Sequence, residues 1–239
     1  MNVLRSSTVY DLLQACRQPG CPVCRIEQGA IERYISSLLY ESVNDIQTRE
    51  RLRASLGFCG EHARLAVGKN LGNALGFAII YQDLINHTLK QLESDSQLPR
   101  TRHWSTLLKQ IPQQVSERVQ RVLYALTPKK PCMVCQQRDK ALHLIISSVM
   151  ESLHQPDIRE VLQSSDGLCI PHLKKAFEAV TDAVTCDELF SIHREKLERL
   201  HAELAEFIRK NDYRFMSEAL GPEGDSWRRA NGKVIGNIE

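Results

Sequence analysis

Aromatic side chains make up only 6% of the 239 residues, so any core must be packed from Leu, Ile, Val and Ala. Long apolar runs are missing as well. Phe77 to Tyr81 is among the longest, far short of the roughly 20 residues that cross a bilayer. Met1 to Gln14 has no apolar stretch of the kind that forms a signal-peptide core. The expectation is a cytoplasmic protein with no membrane partner. Charge of one sign is not in excess either: 31 Lys and Arg stand against 29 Asp and Glu, a net charge of +2. A dedicated nucleic-acid binder carries a pronounced basic surplus, so nucleic acid is not an expected partner. No stretch alternates apolar and polar residues for long, which argues against sheet.

Cysteine is abundant by contrast, with eight residues. In a reducing compartment, metal binding or catalysis outranks disulfide formation for such residues. Six of the eight fall in a repeat. Cys21-Pro22-Val23-Cys24 precedes Gly57-Phe58-Cys59-Gly60-Glu61-His62, and Cys132-Met133-Val134-Cys135 precedes Gly167-Leu168-Cys169-Ile170-Pro171-His172. Between Cys24 and Cys59 lie 34 residues, and between Cys135 and Cys169 lie 33. An offset of 111 aligns the first pairs and Ile35-Ser36-Ser37 with Ile146-Ser147-Ser148; after a one-residue gap, Glu41-Ser42 meets Glu151-Ser152 and Arg49-Glu50 meets Arg159-Glu160. A fixed-period match of this kind marks a duplication.

Both copies have helical periodicity. Ile26, Ala30, Ile31, Tyr34, Ile35, Leu38 and Leu39 form one apolar stripe, and Leu142, Ile145, Ile146, Val149 and Met150 form its counterpart. Shorter helices are predicted over Thr48 to Ser55 and Asp157 to Ser164, with Gly57 and Gly167 as left-handed caps. A third helix is expected to begin near each Cys-x-x-His. It runs on to Leu92 in the first copy, with weak points at Gly68, Gly72 and Gly76. In the second copy Thr185-Cys186-Asp187-Glu188 reads as a capping box. It opens a long helix with Leu189, Phe190, His193, Leu197, Leu200, Leu204 and Phe207 on one side. The fold class is therefore all-α, two zinc-stapled helical units joined by a bridging helix. The predicted organisation is a first repeat over 1–95, a connector with a bridging helix over 96–130, a second repeat over 131–211, and a tail over 212–239 docked on the body.

Four donors of thiolate and imidazole in a tetrahedron are what a structural zinc site requires. A Cys-x-x-Cys turn entering a helix lets two sulfurs converge where unpaired amides favour thiolate. Pro22 suits an early helical position that needs no amide proton. Cys-x-x-His supplies the other two donors one turn apart. Closure within each repeat gives Cys21, Cys24, Cys59 and His62 as one set and Cys132, Cys135, Cys169 and His172 as the other, with one zinc ion each. Exchange of ligands between the copies is the less simple arrangement. Four protein ligands leave no open position for water, which removes the usual route to metal-assisted hydrolysis. An iron–sulfur cluster is a rival for the same cysteines.

Cys16 and Cys186 have no counterparts in the other copy, where Thr127 and Gly76 stand, and read as small buried hydrophobes. His193 and His201 read as surface or core-edge residues. Arg100, Arg102, His103, Lys109, Arg118, Arg121, Lys129 and Lys130 cluster along the connector and read as a solvated face, since few aromatics accompany them for base stacking. In the tail, Trp227 is expected to pack on the helical body, with Asp225 or Ser226 capping a short helix. The alternative is that Arg214, Asp225 and Arg228 line a polar pocket.

At these residues the chain resembles a prokaryotic family classed as a domain of unknown function. The resemblance covers nearly the whole chain: the duplicated Cys-x-x-Cys…Gly-x-Cys-x-x-His unit, then Asp212-Tyr213-Arg214 and Asp225-Ser226-Trp227. It implies two metal sites and no established activity. The second copy has Met133 where the first has Pro22, and no ligand is lost. The reading is a zinc-binding scaffold or interaction module with a protein partner. No nucleophile–base pair points to an enzyme, and no small-molecule ligand is indicated. A redox protein using the same cysteines and a metal-dependent transcription regulator are the alternatives.

Overall fold

The computed structural model describes residues 3–93 and 113–236. Among them there are eleven α-helices, one 3-10 turn and no strand. Helices α1 (Val3–Cys16), α2 (Pro22–Glu41), α3 (Ile46–Ser55), α4 (Gly60–Gly68) and α5 (Ala74–Glu93) come first. They are followed by α6 (Gln113–Ala125), α7 (Met133–Ser152), α8 (Pro156–Ser164), α9 (Ile170–Glu178) and α10 (Ala183–Lys210). The 3-10 turn Pro222–Asp225 then leads into α11 (Ser226–Ile235). The second run of five repeats the first in order and nearly in length, apart from the longer α10. The helix expected in the connector is α6, standing where α1 stands in the first run. Of the connector's basic residues, Arg100, Arg102, His103 and Lys109 lie outside the described residues. No described helix is long and apolar enough to cross a membrane.

Two compact units emerge, and they divide the chain differently from the sequence repeat. One comprises Met1–Ala30 and Lys140–Glu239, the other Ile31–Asp139; the divisions fall inside α2 and α7. In the discontinuous unit the core gathers Leu12, Val23, Val149, Leu153, Leu162, Leu168 and Leu189. In the continuous unit Ile31, Ile35, Leu38 and Leu39 of α2 meet Leu52, Phe58, Ile80 and Val134. Each fully buried aliphatic side chain contributes about 1.5–3 kcal/mol relative to exposure. Val23 and Val134, the inner residues of the two Cys-x-x-Cys turns, are both wholly buried, so each turn is anchored in a core.

Several helix ends differ from their sequence prediction. Leu56, at φ 52°, takes the left-handed position after α3, with Gly57 amide bonded to Leu52 carbonyl at 2.8 Å. This is a Schellman end with glycine one place later than expected. Gly167 has φ 69°, but α8 has already ended on an extended Ser165. Asp182, not Thr185, caps α10: its carboxylate accepts from the Thr185 amide at 2.8 Å. Aspartate accepts from the third helical amide as well as a hydroxyl does. Phe190 is exposed, because the buried face of α10 follows Leu189, Ile192 and His193 instead. The chain breaks between α4 and α5 around Gly72, whose φ of 74° suits glycine and whose added Cβ would lie 2.3 Å from the Leu39 Cβ.

Candidate metal centres

Cys21, Cys24, Cys169 and His172 form one quartet and Cys59, His62, Cys132 and Cys135 the other, the donor atoms of each lying within 4.8 Å of one another. The pairing within each repeat is therefore corrected: each Cys-x-x-Cys meets the Cys-x-x-His of the other copy. Helix length explains it. At 1.5 Å per residue, the 20 residues of α2 span about 30 Å, whereas the ten of α3 return only about 15 Å. Cys59 cannot be carried back to the start of α2 by so short a return. Each quartet is contained in a single compact unit.

In the first quartet Cys24 Sγ and Cys169 Sγ are 3.7 Å apart, and His172 Nδ1 lies 3.5, 3.3 and 3.3 Å from the sulfurs of Cys21, Cys24 and Cys169. In the second, Cys59 and Cys135 sulfurs are 3.7 Å apart, with His62 Nδ1 at 3.1, 3.9 and 3.4 Å from Cys59, Cys132 and Cys135. Bonds of about 2.3 Å to sulfur and about 2.0–2.1 Å to nitrogen give tetrahedral edges of about 3.75 and 3.55 Å. Both sets fit such a polyhedron around one ion, and both could hold a metal. Sulfurs this far apart are not bonded to each other, and none of the eight cysteines is in a disulfide.

The local sequence prepares this arrangement. Cys59 and Cys169 are the N-cap residues of α4 and α9, with φ/ψ of −66°/164° and −67°/162°. That extended backbone puts sulfur beside the first free amides of the helix, a place usually taken by a side-chain oxygen. The histidine three residues later returns to the same face. Cys21 and Cys132 sit just before α2 and α7, and Cys24 and Cys135 in their first turns.

Electrostatics within each quartet favour negative charge on one sulfur, Cys21 in the first and Cys59 in the second. The Cys21 thiol is pulled far below its usual range by Cys169 and Cys24, against burial, with His172 adding to the effect. Burial opposes ionisation of Cys59, but the amides of His62 and Glu61 and the sulfurs of Cys135 and Cys132 hold it low. Cys135 is pushed up to about 12 by burial and by its neighbours Cys59 and Cys132. Burial disfavours charge on His172, yet bonds to Cys169, Cys21 and Glu27 lift it to about 11. A divalent cation would take the place of the protons these groups share.

Residues that the sequence reading left without a role surround the first quartet. Glu27 Oε2 lies 3.3 Å from His172 Nε2, the carboxylate–imidazole arrangement that orients a ligand histidine. His193 is buried; its Nε2 accepts from the Leu168 amide at 2.9 Å and its Nδ1 donates to the Leu189 carbonyl at 2.8 Å. It thus fixes the peptide that leads into Cys169, and burial holds it neutral with a pKa of about 4. An i,i+3 relation of Glu27 to Cys24 was a readable signal; His193 was legible only as a member of the apolar side of α10, and it is buried rather than at the surface or core edge. Cys16 is buried, which raises its thiol to about 11.

The tail reaches the same quartet. A Cβ added at Gly236 would stand 3.4 Å from Cys24 Sγ and 3.9 Å from Cys169 Sγ. Lys210 pairs with the buried Glu223 at 2.8 Å and Arg229 with Glu203 at 2.6 Å. Trp227, expected to pack, is half exposed; charge pairs and the buried Ser226 make the contacts instead. It borders, with Asp225 and Arg228, a cleft of about 810 Å³ that also touches Cys21 and Cys169. Arg214 is not part of that cleft and pairs with Asp212 at 2.8 Å.

The chain matches the family of unknown function DUF6062 over residues 7–239. It is 24% identical over 205 residues to the "Uncharacterized 23.9 kDa protein in xynA 3'region" of Caldicellulosiruptor sp. (strain Rt8B.4), a match covering 85% of this chain and 88% of that protein. No solved structure matches. With residues 7–239 covered, the protein belongs to the family DUF6062.

Proposed function

We propose that this chain is a two-zinc helical protein in which each ion is structural, and that it serves as a non-enzymatic binding or scaffold module in a reducing compartment. The donor spacings of the first quartet, 3.3–3.7 Å, carry the reading. They suit one tetrahedral ion with sulfur and nitrogen ligands, the preference of zinc. All four donors are protein atoms, which leaves no position for substrate or activated water. Three thiolates, a neutral imidazole and a divalent ion sum to one negative charge, and the starts of two helices per site can stabilise it. Elemental analysis of protein purified without added metal is expected to give about two zinc ions per chain. A metal-free, fully folded protein would overturn the reading.

An iron–sulfur cluster is the second reading for the same cysteines. Convergence of four donors within 4.8 Å favours a single ion over a multi-iron cluster, whose thiolates attach to separate irons. Anaerobically purified zinc protein is expected to be colourless; absorbance in the visible with stoichiometric iron and sulfide would replace zinc by a cluster.

A further inference from the structure

The cleft beside the first quartet lies wholly within the discontinuous unit, with Cys21 and Cys169 in its wall and the rest of its lining outside the quartet. Its lining carries five basic side chains against three acidic ones. Arg229 is neutralised by Glu203 at 2.6 Å and Asp225 at 2.8 Å. Lys196 and Lys233 are placed differently. Lys196 donates to the Gln163 and Ser165 carbonyls at 2.7 and 2.5 Å, and Lys233 donates to the Asp166 carbonyl at 2.7 Å. Among the described residues neither ammonium is paired with a carboxylate at ion-pair distance. Burial weakens the hold of both on their protons, so an incoming anion would recover part of that cost.

A thiolate-rich metal site next door explains one such cation as counter-charge, since the site carries a single negative charge when a divalent ion is bound. It does not explain two inner ammonium groups together with Arg228 at the same cleft, where Arg199 is already paired with Glu195 at 2.9 Å. In the same lining, the half-exposed indole of Trp227 carries the Arg228 guanidinium over its ring at 4.9 Å from the centroid. Flat rings stack on such a pair. Asn231 adds both a donor and an acceptor to the lining. The size, about 810 Å³, falls within the range of small-molecule sites.

We propose that this cleft binds a mononucleotide, with phosphate at Lys196 and Lys233 and the base on Trp227 and Arg228. The class follows from pairing an anion-binding end with an aromatic platform and an amide in one cavity. It stands apart from the identity of the metals.

Calorimetric titration of the metal-replete full chain with ADP tests it, with pyrophosphate and adenosine as partial probes. ADP is expected to bind more tightly than either. Lys196→Gln and Lys233→Gln should each weaken ADP and pyrophosphate by about tenfold or more. Trp227→Ala should weaken ADP by about tenfold and leave pyrophosphate within about twofold. Should a lysine variant lose its fold by circular dichroism, Arg228→Gln on the exposed face of α11 takes its place and should weaken ADP alone. No saturable ADP binding up to roughly 5 mM, affinity unchanged in the lysine variants, or equal loss of pyrophosphate in Trp227→Ala would each overturn the proposal. Zinc counted on the same samples separates this from the metal reading: an error there alters the ion count, an error here alters only the titration.

Discussion

Cys21, Cys24, Cys169 and His172 are all buried, whereas Cys59 and Cys135 of the other quartet are partly open to solvent. The donor types, the spacing and the N-cap geometry are the same in both. What differs is the surroundings. Where Glu27 faces His172 at 3.3 Å, the residue at the aligned position is Arg138, which pairs with Glu61 at 3.2 Å. Gly236 lies close enough to the first quartet that an added Cβ would touch the sulfurs of Cys24 and Cys169. Identical ligands can therefore have unequal exposure to water, and exposure decides how readily a bound ion is reached by a competitor.

The crossed pairing is the part of this comparison most open to attack. The double variant Cys24→Ser/Cys169→Ser removes two donors from one quartet and is expected to lose about one ion per chain. Cys24→Ser/Cys59→Ser removes one donor from each and should lose about two. Atomic absorption on both proteins decides, and the opposite order would restore closure within the repeats. A structural ion contributes apparent binding energy on the order of 10–16 kcal/mol, comparable with the total stability of a domain at about 5–15 kcal/mol. Thermal melts of the Cys169→Ser protein should accordingly show loss of the discontinuous unit's cooperative transition.

Chelation separates the quartets more gently. Competition with a colorimetric chelator is expected to release the ion of Cys59, His62, Cys132 and Cys135 first, and the ion of the more buried quartet in a slower phase. A single phase for both ions would remove the distinction drawn from exposure. Gly236→Ala should speed only the slow phase, since a φ of 93° is strained for alanine and relief of that strain would shift the segment next to Cys24 Sγ.

The smallest effect concerns His193. His193→Leu leaves the buried Leu168 amide without its acceptor, at a cost of about 1–3 kcal/mol by denaturant unfolding. The histidine also has a pH signature. Its folded pKa of about 4 is below the unfolded value of about 6.5, so the unfolded chain binds the extra proton first. The stability it contributes is present above about pH 6.5 and is lost as pH falls towards 4. The difference in unfolding free energy between wild type and His193→Leu should therefore narrow over that window.

Much of the helical content could be read from periodicity. Pro22 opens α2 and Ile31, Ile35, Leu38 and Leu39 fall on its buried face, because a 3.6-residue repeat has one apolar side wherever it packs. The same logic overstated α10, where Phe190 belongs to the pattern but faces water. The tail misled in another way. A tryptophan beside Ser226 reads as an anchor, yet Ser226 is buried and Trp227 is half exposed, since a helical step of one residue turns the side chain to another face. Membership in DUF6062 agrees with the resemblance carried by the cysteine motifs and by the closing Asp-Tyr-Arg and Asp-Ser-Trp segments.

Donor identity and helix identity were local matters, settled by which residues stand within a turn of one another. Cys-x-x-Cys and Cys-x-x-His each fix two donors at a distance that backbone geometry alone enforces. Partnership between the pairs is a long-range matter, and tertiary structure decided it: α2 is twice as long as α3, so the chain leaves one centre and arrives at another. Sequence similarity of the two copies could not reveal that exchange, because swapping equivalent segments leaves every local pattern unchanged.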